Sequence, residues 1–260
     1  MKKMETSDIK TIQPLGFLPL LLKDFQPPTE SFEPEGEWEH TYRLFVVGVI
    51  AEKYRQWGCV PSGTLQIKRT PKQDGNFALQ VSVTSNQSLE RGGIERIEAQ
   101  IFCRNDPFAS LMSWRKRSWL LTPQKQKAGI EELKLAIEME TAGQVKGGQI
   151  ILRTDGRERK LTVPSPLTCD WAIIDVVQRL SRSGSQSPLQ FAVLEELDFL
   201  RPNQRILQRE PMEVEVDGKR FRWNCFVQFG DGVLPWTYCL DEHHRLVLAF
   251  SAMRAILLMR

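Results

Sequence analysis

Thr168–Ser183, TCDWAIIDVVQRLSRS, is the stretch on which the arrangement of the whole chain turns. The Thr168 hydroxyl can cap the first turn of a helix, Asp170 places negative charge at the positive end of the helix dipole, and Gly184 follows the last turn as a stop. Between them Trp171, Ile173, Ile174, Val176, Val177 and Leu180 form an apolar band wider than a single surface stripe needs. A helix of that kind has to bury most of its circumference. Nearly everything else reads as strand, so the expected fold is α+β: a large curved antiparallel β-sheet, a half-barrel, wrapped on one long amphipathic helix. Trp171, Ile174 and Val177 are expected to face the concave side of the sheet, and Asp175 and Arg179 to face water.

Before the helix, the pattern is strand after strand. Trp38–Ile50 is rich in β-branched and aromatic residues, with Gly48 a candidate bulge or close approach. Leu65 and Ile67 alternate with polar residues, then Phe77, Leu79, Val81 and Val83 do the same beyond Asp74-Gly75, a strong hairpin signal. Ile94–Cys103 alternates likewise, and Leu111–Leu121 fits a strand better than a short helix. Leu133–Met139 and the run from Gln144 lead to Asp155-Gly156 and a return strand, making about seven strands before the helix.

Beyond it, Ser187–Arg209 fits either a second helix or a strand, turn and strand. Turns at Asp217-Gly218 and Asp231-Gly232 flank Lys219–Gly230, in which Phe221, Trp223, Cys225, Val227 and Phe229 alternate strictly. After a turn at Glu242–His244, Arg245–Met259 is apolar on both faces, which suits a single long central strand under the helix better than the alternative, a C-terminal helix. An antiparallel meander is the economical topology. Residues 1–37, with five prolines and Glu33, Glu35 and Glu37, read as an extended proline-rich arm docking through Leu15–Leu22, and 38–260 as a single β-rich domain.

At 260 residues and 41% hydrophobic content the chain can build a sizeable core. A net charge of +3 does not point to nucleic acid, and the basic-aromatic run Trp114–Trp119 is explained equally well by the wet side of a strand, edge strands commonly carrying Lys and Arg. Five cysteines without a CxxC pair read as buried apolar residues rather than as a zinc site or a disulfide framework. Cys169, beside the helix N-terminus, has no histidine partner to make it a nucleophile, and burial is the better reading. Asp241-Glu242-His243-His244 holds metal-ligand types, but neighbours in a turn splay apart, and His40 reads as a satisfied core or edge histidine rather than a ligand. Asp170, Asp175, Glu195, Glu196 and Asp198 read as solvated charges rather than as an acid and base. No nucleophile elbow, P-loop, dinucleotide fingerprint or zinc-protease motif is present, so an enzyme is disfavoured and no catalytic residue, cofactor or metal is assigned. The N-terminus lacks the features of a secretory signal and no apolar run reaches the roughly 20 residues of a span, which makes the cytoplasm the default location and the cell envelope the alternative if a signal has been removed.

The order of parts carries a resemblance: a strand-rich first half, a helix ending QRLSR (Gln178–Arg182), RPNQRI (Arg201–Ile206), and the closing FGDGVLPWTYCLDEHHRLVLAFSAMRAILL (Phe229–Leu258). This resembles uncharacterised bacterial envelope proteins with a fold like that of the lipoprotein carrier, over about the second half of the chain. The resemblance implies a sheet curled around a helix, with an apolar concave face for a lipid or other hydrophobic small molecule. Together with the seven tryptophans, it leads to the expectation of a noncatalytic protein binding a hydrophobic or amphipathic ligand between sheet and helix, through Trp171, Ile174, Val177, Trp223 and Trp236. The alternative is a protein-protein interaction or scaffold module using the N-terminal arm or a sheet edge.

Overall fold

The computed structural model describes residues 17–23, 25–51, 56–86, 93–125, 131–163, 166–184, 188–216 and 218–259. Eight strands come first: β1 (Trp38–Ala51), β2 (Gln56–Pro71), β3 (Phe77–Ser85), β4 (Ile94–Cys103), β5 (Leu111–Lys125), β6 (Glu131–Lys146), β7 (Gln149–Thr154) and β8 (Arg157–Thr162). A short β9 (Leu167–Cys169) leads into the main helix, α2 (Asp170–Ser183); a one-turn helix, α1 (Leu18–Leu21), precedes β1. β10 (Leu189–Glu195), β11 (Phe199–Val216), β12 (Lys219–Phe229), β13 (Trp236–Leu240), β14 (Leu246–Phe250) and β15 (Arg254–Leu258) complete the chain.

Among the described residues all fifteen strands belong to one sheet, ordered β8-β7-β6-β5-β4-β3-β2-β1-β15-β14-β13-β12-β11-β10-β9. Two meanders are thus joined in the middle by β1 against β15, and every pairing is antiparallel except that of β9 with β10. The sheet is unclosed. Consecutive strands β8 and β9 form its two edges, and side chains from the first half of the sheet reach the turn between β10 and β11: Lys116 Nζ on β5 donates to the Glu196 carbonyl at 2.7 Å, and Arg159 on β8 binds Asp198.

Local chemistry explains where the chain turns. Asp155 (φ 47°) and Gly156 (φ 80°) both take left-handed conformations, as a two-residue hairpin of right-handed twist requires. Asp217 lies outside the described residues. Between Leu189 and Val216 the strand alternative prevails over the helix, because Glu196 and Leu197 at φ 51° and 59° reverse the chain after β10. The expected single last strand is a hairpin of two, β14 and β15. Ser251 is the cause: its hydroxyl accepts from the Met253 and Arg254 amides at 3.4 and 3.3 Å, offering the backbone a turn in place of continued pairing. Gly48 is paired in register with Gly58, and the irregularities in β1 fall instead at Leu44/Phe45 and Val49/Ala51.

Gly143 sits mid-strand on β6 because Trp114, its cross-strand partner on β5, lies flat against it. A Cβ there would stand 2.1 Å from Trp114 Cζ2. Gly143→Ala is therefore expected to cost about 2–3 kcal/mol, through a displaced ring in a packed interior. Urea unfolding measures the loss, and a changed near-ultraviolet tryptophan signal locates it at Trp114.

The helix is α2, 14 residues long, ended by Gly184 at φ 65°. Thr168 is not its cap. β9 continues through Cys169, so the Thr168 hydroxyl instead points to the Ala109 carbonyl at 3.4 Å, and Cys169 takes the capping position without a side-chain hydrogen bond. Trp171, Ile174 and Val177 are buried as expected, but Asp175 is 0% exposed and Arg179 10%, not facing water. The helix has apolar and ion-paired sides, both covered.

Cross-strand register separates the two faces of the sheet. Tyr42, Leu65 and Val83 share one face, with Ile67, Leu79, Ile101 and Arg69, and this face receives α2. On β12–β15 the opposite face is apolar as well, and residues 17–23 and Phe25 cover it: Phe17 meets Phe250 with ring centroids 5.6 Å apart, and Phe25 meets Trp223 at 5.8 Å. The double cover accounts for the apolar character of β14 on both sides.

Candidate functional site between helix and sheet

The structure divides the five residues singled out from sequence. Trp171, Ile174 and Val177 lie in the core on α2, and half-buried Trp236 stacks with Tyr238, on the helix-facing side of β13. Trp223 does not join them. Gln228 pairs with Trp236 and Cys225 with Cys239, so residues 223 and 225 occupy the other face, beneath Phe25.

Two polar clusters stand in this interface. In the first, Asp175 on α2 accepts from Arg69 Nε on β2 and Arg179 Nε, both at 2.7 Å. Arg69 also binds the Glu35 and Gly36 carbonyls and, at 3.1 Å, Asn105 Oδ1, while Arg179 Nη1 donates to the Asp106 carbonyl at 2.7 Å. The Arg69 guanidinium rests 4.3 Å from the Phe77 ring centroid. Burial raises the Asp175 pKa and lowers that of Arg69, because desolvation outweighs their attraction. This cluster fastens helix, sheet and the segment before β1; apart from Arg179 Nη2, which is buried without a partner, its polar atoms are turned on one another or on nearby carbonyls.

The second cluster is different. Asp241, after β13, accepts from the His243 and Arg245 amides at 3.0 and 2.8 Å through Oδ1, and Gln178 on α2 accepts from the Leu246 amide at 3.0 Å. Arg245 Nη2 donates to the Glu30 carbonyl at 2.7 Å, with its guanidinium over Phe32. His40 on β1 stacks on Trp38, and Tyr42 lies edge-on to it at 6.1 Å. Asp241 Oδ2, Gln178 Nε2, Arg245 Nε, His40 Nε2 and the Tyr42 hydroxyl are all buried without a hydrogen-bond partner. Arg245 acts electrostatically on both His40 and Tyr42, and Asp241 on Tyr42, which joins these four, and Gln178 meets them through the amide of Leu246, next to Arg245. Burial, aided by Arg245, lowers His40 to about 4, and burial pushes the Tyr42 phenol far up, so both are neutral at pH 7.

Sequence reasoning passed over Tyr42, Arg69, Gln178 and Arg245. The signal existed for two of them: Arg69 continues the inward alternation of Leu65 and Ile67, and Gln178 stands one turn after Ile174 within the apolar band. His40 is packed among aromatic rings, but it is not the satisfied histidine expected, because its Nε2 is buried without a hydrogen-bond partner. In the 241–244 turn, exposed Glu242 lies 3.9 Å from His243 Nε2 while His244 Nδ1 lies 3.0 Å from Ser181 Oγ, so the four side chains do not converge on one point. Among the described residues no group of three or more metal-ligating side chains converges, and no helix is long and apolar enough to cross a membrane. Buried Cys169 has its thiol pushed up by burial and then by Asp170. On the outer face, an open depression of about 660 Å3 is lined by polar side chains including Gln66, Lys68, Gln80, Gln100, Arg115 and Glu140.

The fold defines a barrel-like protein built on one unclosed antiparallel sheet. Among solved structures it is similar to a beta-barrel-like protein of a domain of unknown function, DUF1849, from Brucella abortus: TM-score 0.54 at 9% sequence identity, over 86% of this chain and 96% of that one. No family model and no curated protein matches the chain.

Proposed function

We propose that this is a noncatalytic binding protein that holds an amphipathic ligand by its polar end between α2 and a sheet curled about it, in the manner of a lipoprotein-carrier-like half-barrel. The observation that carries this reading is the set of five buried, unpartnered polar atoms on Asp241, Gln178, Arg245, His40 and Tyr42. Leaving a buried donor or acceptor unsatisfied costs about 1–3 kcal/mol each, and a fold that keeps five together offers that energy to whatever satisfies them. Arg245 Nε and Gln178 Nε2 donate, Asp241 Oδ2 accepts, and Tyr42 and neutral His40 do either. The matching group has both acceptors and a donor, as a hydroxyl, amide or carboxylic acid end does. Phe32, Trp38, Ile174 and Val177 supply apolar surroundings for the remainder.

Native mass spectrometry of protein purified from its own host tests this reading. A copurified small molecule is expected on the wild type and absent from the double variant Tyr42→Phe, Gln178→Leu, whose circular dichroism stays unchanged. A wild type without adduct, together with a double variant of equal or greater stability, would mean that the cluster binds nothing.

A second reading rests on β6. Leu133, Leu135 and Ile137 are 42%, 53% and 59% exposed, and β7 pairs only with Thr141–Lys146. Among the described residues, the backbone edge from Glu131 to Met139 therefore has no strand partner, which suits the addition of an extended apolar segment of another chain. The N-terminal segment is a poorer candidate, since Phe17, Leu21, Leu22 and Phe25 are buried against the body. Leu135→Lys would abolish association through this edge while sparing the ligand adduct.

A further inference from the structure

We infer that Cys225 and Cys239 are a redox modification site, a cross-strand dithiol that a small-molecule disulfide such as glutathione disulfide converts to an intramolecular disulfide stapling β12 to β13. The two residues are direct partners in the antiparallel ladder, and their sulfurs stand 3.3 Å apart. Paired residues in such ladders have Cα separations of about 4.5–5.5 Å, inside the range that disulfides span. Bond formation needs the sulfurs to approach by about 1.3 Å, within reach of small side-chain rotations.

Their surroundings divide the labour of the exchange. The Cys225 thiol is held below its ordinary range by its hydrogen bond with Cys239, whereas burial raises Cys59, Cys103, Cys169 and Cys239. Cys225 as thiolate attacks one sulfur of the external disulfide, expelling one thiolate and forming a mixed disulfide. Cys239 then gives up its proton and attacks Cys225 Sγ, expelling the second thiolate. Two protein thiols are oxidised and one external disulfide is reduced to two thiols. Both sulfurs are buried, on the face that also carries Trp223 and Phe250 under Phe17 and Phe25. Oxidation is therefore slow in the folded protein and proceeds when that cover lifts or while the chain folds.

The test is refolding of the full, reduced chain from urea in glutathione buffers of rising oxidised fraction, followed by iodoacetamide trapping and peptide mapping. The expected product has three of the five cysteines alkylated, a Cys225–Cys239 linked peptide pair, and a Tm several degrees above that of the reduced protein. Cys225→Ser and Cys239→Ala each remove the linked pair and the Tm response. Five alkylated cysteines at every ratio, or a Cys103–Cys169 link as the main product, would overturn the assignment.

Discussion

Asp175→Ala is expected to lower stability by about 3–5 kcal/mol, the largest single loss among the polar residues of the core. Asp175 is fully buried and is the carboxylate that both Arg69 and Arg179 hold at 2.7 Å. Removing it leaves a guanidinium that is 1% exposed without its counter-charge, and desolvation is already the leading influence on Arg69. The damage spreads along the contacts of Arg69, which also secures the Glu35 and Gly36 carbonyls and Asn105. In urea titrations the midpoint should fall by about 1 M or more. The companion variant Arg69→Met, Asp175→Leu separates causes: most of the loss should return if the unpaired charge is responsible, because matched apolar replacement of a buried pair is often neutral. An Asp175→Ala loss below about 1 kcal/mol would show that the triad is not what holds the helix to β2.

Asp170→Asn is expected to change the pH dependence of stability rather than its maximum. Burial raises the Asp170 pKa to about 7, against the lowering by the Glu196 amide, which donates to Oδ2 at 3.1 Å. An acid with a raised folded-state pKa binds its proton more tightly in the folded protein. Its contribution is therefore fully present below the unfolded pKa near 4 and is lost as pH rises toward 7. Three pH units correspond to about 4 kcal/mol. Because Oδ1 is buried while the residue as a whole is only half-buried, about 2 kcal/mol is the better expectation. Asparagine keeps the shape and cannot ionise, so the stability of wild type minus that of D170N should fall by that amount between pH 4 and 7, as measured by urea unfolding at each pH. A constant difference across that range would mean that Asp170 is ionised in the folded protein.

Strands were legible in this sequence wherever one face is wet. Ile94–Cys103 and Phe77–Ser85 have the observed bounds because alternation and turn residues mark both ends. Where both faces are covered, alternation disappears and the turn has to be found from a single hydroxyl, which is why Arg245–Met259 read as one strand although Ser251 folds it into two. The helix was clear from its apolar band, but its charged side was misassigned. A carboxylate four residues before an arginine reads as a solvated surface pair, and only the register of β2 reveals a third partner, Arg69, 106 residues away in sequence. The same gap hid the polar cluster of Tyr42, Gln178, Asp241 and Arg245, whose members come from both meanders and the helix between them. Alternation placed Trp223 and Trp236 on strands, and cross-strand register then set them on opposite faces.

The pairing of β1 with β15 also governs how the chain finds its shape. Most ladders in the sheet join neighbours in sequence, but Tyr42 meets Leu258 across a loop of more than two hundred residues. Closing a loop of that length costs about 2–3 kcal/mol more in chain entropy than closing a hairpin of ten. Contacts of such long sequence separation are slow to form, so each meander can zip from its own turns before the central joint is made. That joint is the topological bottleneck of folding, and until it forms, the backbone edges of β1 and β15 lie open to strands of other molecules.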